Sequence, residues 1–231
     1  MPRRTYYGEL TMNTTAGWRF QVLNFPVRVH FSFFLVAVLF GLSLGNLILL
    51  AIWVAIVFFS ILIHELGHAV VGEYYGRSPQ IELYAMGGLT IPTRYSLLTY
   101  PKEIFISFAG PLAGFLLGGI IYGLLQVLPP ITNPYASFVF STLLWVNIGW
   151  GIINLIPILP LDGGHIMRSL YHWLKNPYDE RTPRIISIVF GLLAIAAALL
   201  LTRSLYLALL AAFLTFNNYR ALQGGGTGIF Y

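Results

Sequence analysis

"SILIHELGHAVVGEYYG", residues 60–76, ends a long apolar run with His64, Glu65 and His68, three proton-binding side chains where a lipid-facing helix would carry none. His64 and His68 are four residues apart, so on a helix they stand one turn apart on one face and can direct ring nitrogens at a single ion. Glu65 is the next residue. From there it can approach a metal-activated water without being a ligand, as the general base of metal-assisted peptide hydrolysis does. A charged group near the bilayer centre costs about 2.5–3.5 kcal/mol on insertion scales, so a purely structural role would need partners for all three side chains.

The composition sets the environment for that motif. The chain has 231 residues, 57% of them hydrophobic and 9% charged, with a mean hydropathy of +0.76. A soluble domain carries roughly 25% charged residues. Apolar stretches near the roughly 20 residues that cross a hydrocarbon core recur along the chain, which predicts a polytopic protein embedded in the lipid bilayer. No long polar block suggests a second domain. The expected division is an N-terminal cytoplasmic or interfacial segment over 1–30, a transmembrane domain over 31–222 and a glycine-rich tail over 223–231. No apolar region with a small-residue cleavage site precedes residue 30, so the first span is expected to be retained. With no cysteine, disulfides and thiolate metal sites are excluded, and any metal must use His and carboxylate ligands. The net charge is +5, but the basic residues sit singly between spans, which argues against a nucleic-acid partner.

The fold class this predicts is an all-α polytopic membrane protein of about six transmembrane helices. The spans fall near 31–46, 47–71, 102–128, 136–156, 184–201 and 205–222. Residues 18–30, "WRFQVLNFPVRVH", alternate loosely and suggest a short strand or interfacial segment. Residues 78–93, "SPQIELYAMGGLTIPT", mix β-formers with Pro79, Gly87, Gly88 and Pro92, which predicts a small β-hairpin or re-entrant segment after the second helix. With six spans and a cytoplasmic N-terminus, Arg3, Arg4, Arg19, Arg28, Arg77, Arg94, Lys102, Arg168, Lys175, Arg181, Arg184 and Arg220 all fall inside. Arg203 alone falls outside, the bias that the positive-inside rule describes. Both termini are then cytoplasmic. Gly110, Gly114 and Gly118, at steps of four in the third span, read as a close helix-packing face.

Catalytic zinc usually takes three protein ligands, so a third must come from elsewhere in the chain. Asp162 stands out in "NLIPILPLDGGH", residues 154–165, where Pro157 and Pro160 disrupt helix hydrogen bonding and Gly163 and Gly164 permit a sharp turn. A broken helix within a membrane is tolerated where it is buried in protein or lines a watery cavity. Asp162 could also cap the helix that follows it, and the two roles need not exclude each other. Two rivals remain open: Glu73, which on a continuous helix points away from the histidine face, and His165, which could instead hydrogen-bond a carboxylate. His30 and His172 read as interfacial residues.

These residues resemble a known family. "HELGH" at 64–68, followed some ninety residues later by "NLIPILPLDGG" at 154–164, is similar to the site-2 protease family of intramembrane zinc metalloproteases. "FPVRVHFSFFL" at 25–35, "AMGGLT" at 85–90 and "FAGPLAGF" at 108–115 also resemble that family, especially its compact branch that includes the sporulation-factor protease. The resemblance implies one Zn2+ per chain held by His64, His68 and Asp162, with Glu65 as the base that activates water. It also implies that Asn154 lies beside the active site and helps hold substrate. Relatives commonly carry a PDZ or CBS domain, which this sequence lacks, and often an Asn where this chain has Gly114.

The expected activity is hydrolysis of peptide bonds in or near transmembrane segments of membrane-protein substrates. A substrate helix must first extend, and an extended segment could pair with a strand edge around 81–91, where Gly87 and Gly88 are expected to meet substrate. Two other classes share some of these features. A membrane metal or ion transporter would explain buried His and Asp residues, but not a Glu set between ligand-spaced histidines. A catalytically silent scaffold would not need the complete set of four. The expected location is a bacterial or archaeal cell membrane.

Overall fold

The computed structural model describes residues 17–94 and 96–224. Arg3, Arg4, most of the expected 1–30 segment and nearly all of the glycine-rich tail therefore lie outside the described residues. Two strands open the described chain, β1 (Gly17–Val22) and β2 (Phe25–His30), followed by α1 (Phe31–Gly41) and a short 3-10 turn, Leu42–Leu44. Then comes α2 (Leu47–Tyr74), a second strand pair, β3 (Pro79–Tyr84) and β4 (Gly87–Pro92), and α3 (Tyr100–Val127). Helix α4 (Pro134–Leu144) continues through a π-helical turn, Trp145–Gly149, into α5 (Trp150–Asn154). The chain ends with α6 (Asp162–Leu174), α7 (Arg181–Leu200) and α8 (Leu205–Leu222).

Local chemistry sets the ends of α2. The side chain of Asn46 accepts from the N–H groups of Ile48 at 2.8 Å and Leu49 at 3.2 Å, satisfying two of the orphan donors at the helix start. At the other end Gly76 takes φ +82°, and bonds run from Gly76 N to Glu73 O at 2.8 Å and from Arg77 N to Gly72 O at 2.9 Å. That is a Schellman stop, in which glycine takes the left-handed position without a Cβ penalty. The 28 residues between span about 42 Å, more than a hydrocarbon core needs.

Four helices among the described residues are long and apolar enough to cross a membrane: Leu47–Tyr74, Tyr100–Val127, Pro134–Asn154 and Arg181–Leu200. They coincide with the expected second to fifth spans. The expected first span is shorter than anticipated, with its apolar helix covering only Phe31–Leu44. Many large apolar side chains are exposed on these helices, Leu116, Ile120, Leu193 and Leu200 among them, as lipid-facing surfaces require.

The β structure is more extensive than the hairpin expected over 78–93 and the short strand or interfacial segment expected over 18–30. All four strands join in one sheet of order β1-β2-β3-β4. The outer pairs are antiparallel, whereas β2 and β3 are parallel, with Val27 opposite Ile81 and Val29 opposite Leu83. A parallel pair needs a crossover, and α1 with α2 supplies it. Alternate residues of the two inner strands, Phe25, Val27, Val29, Ile81 and Leu83, pack with Phe33 of α1 and with Leu62 and Ala69 of α2. This is the period of two that a half-buried sheet requires. The sheet thus lies against the α2 helix that carries the histidines, with β4 as its free edge on that side.

Candidate metal centre

Two helices meet at the centre. His64, Glu65 and His68 lie on α2, and Asp162 is the first residue of α6. His64 Nε2 is 3.0 Å from Asp162 Oδ2, His68 Nε2 is 3.2 Å from Asp162 Oδ1, and the two imidazole nitrogens are 3.2 Å apart. These three residues form a group whose ligand atoms all lie within 4.8 Å of one another. Zinc ligands about 2.0–2.1 Å from a common ion, at tetrahedral angles, would be about 3.3 Å apart, so the donor set fits zinc in type and in spacing.

The outer contacts prepare the same chemistry. His68 Nδ1 donates to the carbonyl of Ile106 on α3 at 2.7 Å. A carbonyl can only accept, so the proton sits on Nδ1 and a neutral His68 presents its Nε2 lone pair to the centre. Asp162 does not cap α6. The N-cap is Leu161, and the Asp162 carboxylate faces the two imidazoles from the first helical turn, where the helix dipole favours a negative charge.

Glycines allow this convergence. A Cβ on Gly110 of α3 would collide with His68 Nε2 and lie 2.8 Å from His64 Nε2. Its neighbours in the expected packing ladder do serve packing: Gly114 faces the Asn147 carbonyl, and Gly118 faces the Ile148 side chain. Gly110 is thus a site residue that spacing alone presented as a packing residue. A Cβ on Gly163 would collide with Leu155 O, so the close turn before α6 also depends on the absence of a side chain.

Glu65 is buried, at 5% exposure, and is held by a residue that motif reading missed. Thr90 of β4 donates its hydroxyl to Glu65 Oε2 at 2.7 Å, with the Glu65 carbonyl at 3.1 Å. Gly88, two residues earlier, lies so close that a Cβ there would be 2.6 Å from Glu65 Cδ. Thr90 closes the "AMGGLT" stretch, so its segment carried a signal even though its role did not. Tyr84, across the hairpin turn from Gly87, has its hydroxyl held above the usual tyrosine range by burial and by the charges of Glu65 and Glu82.

The rivals for third ligand fall outside the cluster. Glu73 is exposed near the end of α2. His165 lines a polar cavity of about 330 Å³ with Arg77, Glu103, Arg168, Ser169 and His172. His172 bonds to the Asp179 carbonyl at 3.2 Å, and His30 is 3.4 Å from Glu82 Oε2. Asn154 ends α5 half-buried, and its side chain makes no hydrogen bond among the described residues.

Known proteins share this plan. Residues 131–197, the stretch that includes Asp162, match the sequence profile of Peptidase family M50. A zinc metalloprotease of Methanocaldococcus jannaschii is 32% identical over 195 residues, covering 79% of this chain and 56% of that protein. Stage IV sporulation protein FB of Bacillus subtilis is 30% identical over 150 residues, covering 64% of this chain and 49% of that protein. The chain thus spans about half the length of these curated relatives. The solved structure of a site-2 protease from Methanocaldococcus jannaschii superposes with a TM-score of 0.60 at 29% identity, covering 89% of this chain and 95% of that one. A side-chain group that could hold a metal ion is thus built across two helices, on a fold similar over 89% of the chain to a site-2 protease, with residues 131–197 matching peptidase family M50.

Proposed function

We propose that this protein is an intramembrane zinc endopeptidase that hydrolyses peptide bonds in or near the transmembrane segments of other membrane proteins. The observation that carries this reading is the convergence of His64, His68 and Asp162 with a buried carboxylate, Glu65, on the residue next to the first ligand. His64 and His68, through Nε2, and Asp162, through its carboxylate, would hold the ion. When bound, zinc supplies Lewis acidity, bringing the pKa of a water toward about 7 and polarising a peptide carbonyl. Glu65 accepts a proton from the attacking water and returns it to the leaving amine as the C–N bond breaks. Of the two Glu65 carboxylate oxygens Thr90 engages only Oε2, and so orients the carboxylate while leaving Oε1 for the proton.

Substrate binding follows from backbone chemistry. A helical substrate hides its carbonyls in i to i−4 bonds and must extend before hydrolysis. β4 is the edge strand of the sheet beside Glu65, so an extended segment adding to β4 would pass the centre. Gly87 and Gly88 leave that edge narrow, and Asn154 offers an unpaired amide to substrate from the end of α5.

In this reading α1 and α8 join the four long helices to make six spans, with residues 31–222 as the protease domain and both termini on the cytoplasmic side of a bacterial or archaeal membrane. The distribution of Arg and Lys supports that orientation.

The test uses the purified wild type and Glu65→Gln in lipid vesicles, with zinc measured by elemental analysis and cleavage of a transmembrane test substrate followed by gel. Both proteins should bind about one zinc per chain, and Glu65→Gln should cut about 10²–10⁴-fold more slowly. Equal cleavage by the two would overturn the assignment of the base. Metal flux across the vesicles by a wild type that never cuts would favour an ion path instead.

A further inference from the structure

Asp162 is delivered to the centre by the segment 155–161, and that segment is held from the far side of the molecule. Leu159, three residues before Asp162, is buried, and both of its main-chain polar groups go to side chains of the last two helices. Its N–H donates to Ser187 Oγ on α7 at 3.1 Å, and its carbonyl accepts from Asn218 Nδ2 on α8 at 2.6 Å. Ser187 is 0% exposed and gives its own proton to the Pro183 carbonyl at 2.9 Å, which leaves an oxygen lone pair for Leu159.

Asn218 donates its second amide proton to Leu214 O at 2.9 Å, while its Oδ1 is buried with no hydrogen-bond partner. An orphaned buried acceptor is unfavourable, and an apolar side chain would serve helix packing alone better. The same α7–α8 interface contains such an internally satisfied group: the Thr215 hydroxyl bonds to Ala211 O of its own helix at 2.7 Å. Asn218 differs in reaching across to the segment that bears Asp162.

The link from Leu159 to the centre is a hard contact. A Cβ on Gly164 would lie 2.5 Å from Leu159 N, so the first turn of α6 rests directly on the clamped residue. Close-packed groups of this kind transmit displacement instead of absorbing it. We propose that Ser187 and Asn218 are positioning residues that fix Leu159 and thereby aim the Asp162 carboxylate at the metal, so that zinc affinity depends on the docking of α7 and α8.

The proposal rests on Asp162 as the third ligand, and one series of full-length variants tests the two separately. Ser187→Ala, Ser187→Thr, Asn218→Leu, Asp162→Asn and Thr215→Val are purified in detergent. Zinc affinity is measured by chelator competition, the visible spectrum is recorded for the Co2+-substituted protein, and thermal unfolding is followed without metal. Ser187→Ala and Asn218→Leu should each weaken zinc binding about 10–100-fold and alter the Co2+ spectrum, as loss of outer support for a ligand does. Ser187→Thr, which keeps the hydroxyl, and Thr215→Val, which disturbs only the helix interface, should bind as the wild type does. Wild-type affinity and spectrum in both Ser187→Ala and Asn218→Leu would overturn the positioning role, even with lowered thermal stability. Should Asn218→Leu fail to fold, Ser187→Ala decides alone. Wild-type affinity in Asp162→Asn would instead overturn the ligand assignment.

Discussion

At the scale of single residues, the centre depends as much on missing side chains as on those present. Gly110→Ala would place a methyl group against His68 Nε2 and His64 Nε2, the faces of the two proposed ligands. Its expected outcome is a protein that folds but retains little zinc, measured by elemental analysis after gel filtration. Thr90→Val keeps shape but removes the donor to Glu65 Oε2. Leaving a buried carboxylate short of a hydrogen bond costs about 1–3 kcal/mol, which corresponds to roughly 10–100-fold in rate if the orientation of Glu65 is what suffers. Zinc content should be unchanged, because Thr90 touches none of the three ligands; a parallel loss of zinc would mean that Thr90 supports the whole centre. The HELGH spacing exposed three of the four residues of the proposed machinery in the sequence, since a helix puts i and i+4 on one face. Thr90 and Gly110 were not legible in that way, because each acts through a contact between elements far apart in the chain.

Among elements, the connection from α6 to α7 is held by one carboxylate. The Asp179 carboxylate accepts from Thr182 Oγ1 at 2.6 Å, Tyr171 Oη at 2.6 Å, Arg181 N at 2.9 Å and Thr182 N at 3.1 Å. Hydrogen bonds from the Thr182 hydroxyl, then from Tyr171, hold this carboxyl well below the usual carboxylate range. A lowered folded-state pKa means that the stabilisation is fully present above the unfolded value, about 3.9, and is lost as pH falls through the folded value. The gap in melting temperature between wild type and Asp179→Ala should therefore hold steady from about pH 7 to 5 and close only below about pH 4. Local signals were dependable at this scale wherever an element carries its own punctuation. The Gly87–Gly88 pair marked the hairpin expected within 78–93 because turns are built from adjacent residues, whereas α2 runs to Tyr74, past the span end expected at 71, before Gly76 stops it. The parallel pairing of β2 with β3 joins residues 54 positions apart in sequence, such as Arg28 with Glu82, and no short-range pattern encodes it.

For the whole molecule, orientation in the bilayer is the property most open to test. The chain contains no cysteine, so single substitutions serve as clean reporters. With the proposed orientation, Lys175→Cys should react with an impermeant maleimide only from the cytoplasmic side and Arg203→Cys only from the opposite side, in spheroplasts against inverted vesicles. Labelling of both from one face would reverse or shorten the proposed set of spans. The lipid-facing coat of exposed leucines and the skewed Arg and Lys distribution are both readable from composition, because the bilayer selects residue type before it selects partners. Helix length is less readable: the first span is expected over 31–46, yet α1 closes at Gly41 and its 3-10 turn at Leu44, where Gly45 takes the left-handed conformation at φ +62° and ends the helix.

The amino-acid sequence by itself determined the membrane environment, the central spans, the helix face carrying His64 and His68, and the candidacy of Asp162, since all four follow from residue type and short-range period. Only the tertiary structure decided that Asp162 meets those histidines while His165 and Glu73 do not, because α3 sets the distance between α2 and α6 through Gly110 and the Ile106 carbonyl. It likewise decided that Thr90 reaches Glu65 and that Leu159 is held by Ser187 and Asn218. Convergence of this kind depends on backbone separations of a few ångströms between elements tens of residues apart, which a linear pattern does not carry.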